Sequence, residues 1–177
     1  MKKGDEQTME KRDLYDLNRN LTGKTMYKGK DIPEGSYIVV VLVFIQNSKG
    51  QFLIQKRSQR KNGLYATTGG HPKSGEDSIQ GIITEIKEEI GVDINPKDLI
   101  LYYGGREDNE RVFWDDYYVK MDIDNIEDLK LQEEEVESVH WFSIDEIHEL
   151  QKEGKFFKNH YEEFEVLEDW LMKRENR

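Results

Sequence analysis

Three glutamates, Glu85, Glu88 and Glu89, fall within five residues in the stretch GGHPKSGEDSIQGIITEIKEEIGV, residues 69–92. Their i, i+3 and i+4 spacing puts them on one side of a helix. Advancing about 100° per residue from Ile79 places Glu88 near 180°, Glu85 near 240° and Glu89 near 280°. Ile79, Ile82, Ile83, Ile86 and Ile90 fall within about 60° of zero, so the carboxylates lie away from an apolar stripe. Like charges so spaced cost roughly a few tenths of a kcal/mol per pair without a counter-charge, and only Lys87 lies between them. Two explanations fit such a face. One is a solvated helix surface. The other is a site for a hard divalent cation, Mg²⁺ or Mn²⁺, which takes carboxylate oxygens and keeps positions open for water and phosphate. The approach favours the second, because Gly69-Gly70 ends a strand and glycine lets a backbone carbonyl come close to a ligand.

The spacing also carries a resemblance. The run is similar to the Nudix box, G-x5-E-x7-R-E-U-x-E-E-x-G-U with U aliphatic. Gly70, Glu76, Glu85, Ile86, Glu88, Glu89, Gly91 and Val92 stand at its positions, and only the arginine departs, as Thr84. The flanking runs VLVFIQNSKGQFLIQKRS and ESVHWFSIDEI agree, so the resemblance covers about residues 13–150. It implies a Nudix fold, an α/β (α+β) arrangement in which a mixed sheet lies between helices and the box forms a loop–helix–loop. It implies metal-dependent hydrolysis of a diphosphate linkage in a nucleoside diphosphate joined to a group X. Glu85, Glu88 and Glu89 match the metal-binding and catalytic glutamates, Gly70 the glycine whose carbonyl completes the site, and Glu76 and Gly91 the structural box positions.

Two departures qualify the resemblance. Thr84 stands where relatives carry an arginine that braces a catalytic carboxylate, so a Nudix-fold domain that binds a diphosphate metabolite with weak or no turnover is the alternative. The GGHP run, residues 69–72, resembles the branch close to isopentenyl-diphosphate isomerases, but Gly69 stands at the cysteine position. The chain has no cysteine at all, so the isomerase reading fails on chemistry. His71 is kept, as a metal or phosphate contact or as a hydrogen-bonding loop residue. Outside the box, Arg57 is a candidate substrate contact against the reading of an exposed turn. Glu134, in the QEEEVES run, is a candidate second base against the reading of an acidic turn.

The rest of the chain must position these groups. At 177 residues it suits one domain with one sizeable core. Residues 1–12 are polar and read as a frayed end, residues 13–33 as a small hairpin, and residues 155–177 as a closing helix. Residues 37–45, YIVVVLVFI, read as a central strand covered on both faces. Residues 52–57, 64–68 and 136–142 read as further strands, as do DLILYYGGRE and RVFWDDYYVKMDI. Residues 77–90 read as the amphipathic helix, with Gly91 as its C-cap. SIDE, residues 143–146, is a capping box opening another helix. The net charge of -11 disfavours a nucleic-acid polymer as partner. It admits a phosphorylated small molecule through a bound cation. The longest apolar run has nine residues, short of the roughly twenty of a membrane span, so a cytoplasmic protein off the membrane is expected. Dimers are common in the resembled family, which leaves room for a homodimer.

Overall fold

The computed structural model describes residues 9–175. Strand β3 (Ile38–Gln46) lies at the centre of a mixed sheet. It runs parallel to β8 (Val112–Lys120) and antiparallel to the short β6 (Thr68–Gly70). β4 (Phe52–Arg57) follows β3 through a tight turn and pairs along its length with β9 (Val136–Phe142). β5 (Tyr65–Ala66) edges β4, and β7 (Ile100–Glu107) edges β8.

The near-continuous apolar string in β3 exists because both faces are covered. Val39, Val41, Val43 and Ile45 pack with Ile82, Ile86 and Ile90 of α1 (Ser78–Ile90). Leu42 and Phe44 pack the other way, against Ile147 of α2 (Ile144–Lys152) and Phe164 and Leu167 of α3 (Lys158–Glu175). This is an α+β sandwich of helix, mixed sheet and helices. α1 opens with a capping box between Asp77 and Gln80 and closes at Gly91, whose φ of 72° is the left-handed conformation that favours glycine. Ser143 and Glu146 cap α2 in the same way.

Three local features differ from the sequence expectation. The strand expected over residues 64–68 is two short ones: β5 pairs with β4, and β6 changes partner to lie on β3 with Gly70 opposite Val41. The closing helix begins at Lys158 because residues 155–157 stay extended against Tyr65, whose amide donates to the Lys155 carbonyl at 2.8 Å. Tyr65 in turn accepts the Phe157 amide at 2.7 Å. The hairpin begins before residue 13: β1 (Lys11–Tyr15) pairs with β2 (Leu21–Tyr27), and Arg12, only 9% exposed, points inward beside Leu14. A single alternating pair inside KRDLY is too short to stand out as a strand. The rest of the expected frayed end, residues 1–8, lies outside the described residues.

The hairpin is fastened to the box loop. The Lys11 carbonyl accepts the Ser74 amide at 2.8 Å, and the Asp13 carboxylate accepts the Ser74 hydroxyl at 2.6 Å and the Gly75 amide at 2.8 Å. Tyr15 and Tyr37 exchange two backbone bonds of 2.9 Å. Arg19 forks onto both oxygens of Asp115, a β8 carboxylate only 5% exposed. Removing one partner of a buried pair leaves an uncompensated charge. Arg19→Ala is therefore expected to lower stability by about 2 kcal/mol, below the fully buried case because Arg19 is partly solvated. Urea unfolding checks this, and an unchanged midpoint would show that the fork does not hold the hairpin.

Candidate active site

The helical wheel explains how α1 grades its carboxylates. Glu89 lies about 20° from Ile82, Glu85 about 60° and Glu88 about 120°, so burial of the isoleucine stripe draws them from water in that order. Glu89 is 6% exposed, Glu85 is half-buried and Glu88 is exposed.

Each carboxylate has a different state. Burial pushes Glu89 up to about 8, with the Glu85 charge adding to it and Gln55 opposing. Its Oε2 has no hydrogen-bond partner. Burial pushes Glu85 up to about 7, against the pull of the His71 amide, which donates to Oε1 at 3.0 Å. Glu88 is held by the Lys73 ammonium. Gly70 is glycine for lack of room: a Cβ there would sit 2.2 Å from Glu85 Oε1.

These groups line one cavity of about 300 Å³ together with His71 and Arg57. Burial, and the charges of Arg12, Lys28 and Lys61, hold the His71 imidazole down to about 3, so it is neutral. The Arg57 guanidinium lies over the Phe157 ring at 5.1 Å. Glu134 is outside: its side chain is exposed on a separate surface with Gln59 and Arg60, and its carbonyl accepts the Ser58 hydroxyl at 2.6 Å. Its neighbour Glu135 lines the cavity instead, because the run turns into β9 there and adjacent side chains diverge.

Glu76 and Thr84 form a bond the box pattern does not announce. The Thr84 hydroxyl donates to Glu76 Oε1 at 2.7 Å, and the Lys73 amide to Glu76 Oε2 at 2.8 Å. A neutral donor thus ties helix to loop at the position where an arginine was expected. Gly91 brings the chain round so that the Gln132 amide reaches the Glu89 carbonyl at 2.9 Å, which packs the acidic turn against the helix end.

Sequence reasoning missed much of the wall. Glu10, Arg12 and Lys28 reach the cavity from the hairpin, and Phe157 and His160 from the start of α3. His160 is neutral, burial holding it down to about 4, and its Nδ1 has no partner. None of these residues sits at a fixed offset from the box, so no spacing points to them.

The donor chemistry fits a hard divalent cation. Carboxylate oxygens line one cavity, one buried carboxylate oxygen lacks a partner, and repulsion between Glu85 and Glu89 calls for positive charge. Among the described residues no three acidic or imidazole groups form a ready cage; the Lys73 ammonium takes Glu88 meanwhile.

Comparison with known proteins agrees with this geometry. The NUDIX domain family model matches residues 36–164. An uncharacterized Nudix hydrolase of Listeria monocytogenes is 34% identical over 152 residues, covering 84% of this chain and 88% of the relative. The crystal structure of DR0079 from Deinococcus radiodurans superposes with a TM-score of 0.67 at 19% identity, covering 83% of this chain and 91% of that one. A Francisella tularensis bifunctional NMN adenylyltransferase/ADP ribose pyrophosphatase, complexed with AMP and a manganese ion, gives a TM-score of 0.58 at 18% identity, over 81% of this chain and 44% of that one.

Two measurements test the site. Thr84→Val leaves Glu76 Oε1 without its donor and is expected to cost about 1 kcal/mol in chemical unfolding, with Thr84→Ser close to wild type. The second concerns Glu89. Its folded-state value, about 8, is above the 4.5 of the free side chain. The folded chain then holds a proton that the unfolded chain has released, so stability falls as pH rises from about 5 to 8. His71 and His160, held neutral by burial, act in the opposite direction at the acid end. The Glu89 contribution is therefore read as a difference. In chelator-treated protein, Glu89→Gln should gain melting temperature over wild type progressively from pH 5 to 8, and Mg²⁺ should shrink the gap. A constant difference across that range would refute it.

Proposed function

We infer the reaction from one premise: this chain belongs to the Nudix domain family. The family acts on nucleoside diphosphate derivatives, and the chain is a hydrolase of that kind. The finer reading is a pyrophosphohydrolase that cleaves a diphosphate linkage in a small molecule with Mg²⁺ or Mn²⁺. The observation that carries it is the unpaired oxygen of buried Glu89, in a cavity that Glu85 and the cations Arg12, Lys28 and Arg57 also line.

Glu85, Glu88 and Glu89, with the Gly70 carbonyl, would hold the cation, which on binding neutralises the diphosphate and lowers the pKa of a coordinated water. The protein does the rest. Gly70 keeps room for Glu85, and the His71 amide fixes that carboxylate's orientation. Glu89, buried with one oxygen that makes no hydrogen bond, is the candidate base that accepts a proton from the attacking water. His71, neutral and half-buried, serves as a hydrogen-bonding group of the cavity. Arg57 faces the phosphates as a cation no carboxylate has claimed among the described residues. The manganese and AMP bound to the Francisella protein of similar fold support a divalent ion and a nucleotide ligand. The binding-only alternative rests on Thr84, whose hydroxyl bonds the structural box glutamate Glu76, and turnover decides between the two readings.

Release of phosphate or nucleotide from a panel of nucleoside diphosphates, nucleotide sugars, dinucleotides and isoprenoid diphosphates tests this. Turnover should need Mg²⁺ or Mn²⁺ and fall about 100-fold or more in Glu89→Gln and in Glu88→Gln. Metal-dependent binding without turnover anywhere on the panel would move the assignment to a diphosphate-binding domain.

A further inference from the structure

Four cationic side chains meet the cavity, and none belongs to the box. Arg12 and Lys28 come from the hairpin, Arg57 from the end of β4, and Lys61 from the turn that follows. In a chain of net charge -11 this grouping opposes the overall field. Glu10 holds the hairpin pair, taking Arg12 Nε at 3.3 Å and Lys28 Nζ at 3.4 Å on its two oxygens. One carboxylate between two cations leaves the lobe with a surplus positive charge and fixes both groups in place. Lys61 is already paired with Glu135 at 2.7 Å.

The same lining offers little to a nucleobase. Phe157 is the one benzenoid ring among the lining residues. Arg57 lies over it at 5.1 Å, and His160 meets it nearly edge-on at 5.0 Å. Of the aromatic side chains that alternate along β7 and β8, Tyr102 and Tyr118 pack against Trp170 and the exposed Tyr103 meets Trp114, and none of these lines the cavity. A cavity of about 300 Å³ is at the lower end of the range for small-molecule sites. It suits a short phosphate chain better than a whole dinucleotide.

We propose that the N-terminal hairpin completes the active site, with Arg12 and Lys28 joining Arg57 as an anion clamp that recognises the substrate by its phosphate chain, not by its base. This rests on the diphosphate-hydrolase reading and names its substrate class: nucleoside di- or polyphosphates accepted across bases. Phosphates are bridged between the carboxylate helix on one wall and the clamp on the other. The fastening of Lys11 and Asp13 to the box loop holds the hairpin lobe in register with α1. The clamp residues are specificity-determining, and one of them, Arg57, also acts electrostatically on Glu89, the candidate base.

The test pairs binding with kinetics. Calorimetric titration of the Mg²⁺-loaded protein with methylenediphosphonate, a diphosphate that cannot be hydrolysed, reads the clamp without turnover. Lys28→Ala, at a largely solvated position that should fold normally, is expected to weaken binding about 10-fold, the lower end for a charged hydrogen bond. Arg12→Ala should do so by at least as much, and Arg12→Lys should retain most of the affinity. In steady-state assays ADP, CDP, GDP and UDP should have KM values within about threefold of one another. All four should rise together in Lys28→Ala, with kcat nearly constant, as for loss of uniform binding. Wild-type affinity for methylenediphosphonate in folded Lys28→Ala and Arg12→Ala would overturn the clamp, and so would a KM preference above 10-fold for one base. If binding responds to the clamp variants but no compound turns over, the clamp stands and the hydrolase reading falls. If turnover occurs and is insensitive to both residues, the hydrolase reading stands and the clamp falls.

Discussion

Everything in the site follows from pinning one face of α1. Ile82, Ile86 and Ile90 are locked against the valines of β3, so the helix cannot roll. The glutamate nearest that stripe is dragged out of water whether or not an ion is there to neutralise it. A freely solvated helix would spread three carboxylates towards solvent at small cost. This one holds Glu89 in a medium where its charge is expensive, and it places Glu85 close enough to make matters worse. The fold thus stores an electrostatic demand at a fixed place, and the missing side chain of Gly70 keeps the place open.

The hairpin answers that demand with cations of its own, Arg12 and Lys28, in the same cavity. Its fastenings to the box loop and to Asp115 make it part of the sandwich rather than an appendage. Arg12 and Lys28 are then held where their charges act on His71 and, for Lys28, on Glu85. Carboxylates of α1 and cations of the hairpin and β4 line the same cavity, which suits a ligand that carries negative charge and binds through a positive ion.

How much of this was legible depends on the length of the pattern. Continuous apolarity over nine residues fixed β3 as a two-faced strand, and the isoleucine period fixed α1 to within a residue. The glycine and glutamate spacing marked out the residues of one wall. What stayed hidden depends on pairs distant in sequence. Thr84 looked like a loss because a missing guanidinium is visible in the sequence, whereas the hydroxyl bond to Glu76 needs the loop's path. Glu134 and Glu135 are indistinguishable in an acidic run until β9 sets which one faces in. Arg12 lay in a stretch too polar to announce a strand, and Phe157 became a wall residue only because the chain stays extended beside Tyr65 before α3 begins.

The same distances bear on how the molecule assembles. Glu10 and His160 line one cavity although nearly the whole described chain separates them. Contacts that span so much sequence form late, since a long loop must be closed before they return any stabilisation. α1, its caps and the β3–β4 turn are local and can form early. During synthesis the carboxylate helix would therefore emerge well before the segment carrying Phe157 and His160, and the finished pocket would appear only when the last helix docks. The wall made by Phe157 and His160 is in this sense the last part of the pocket to be in place.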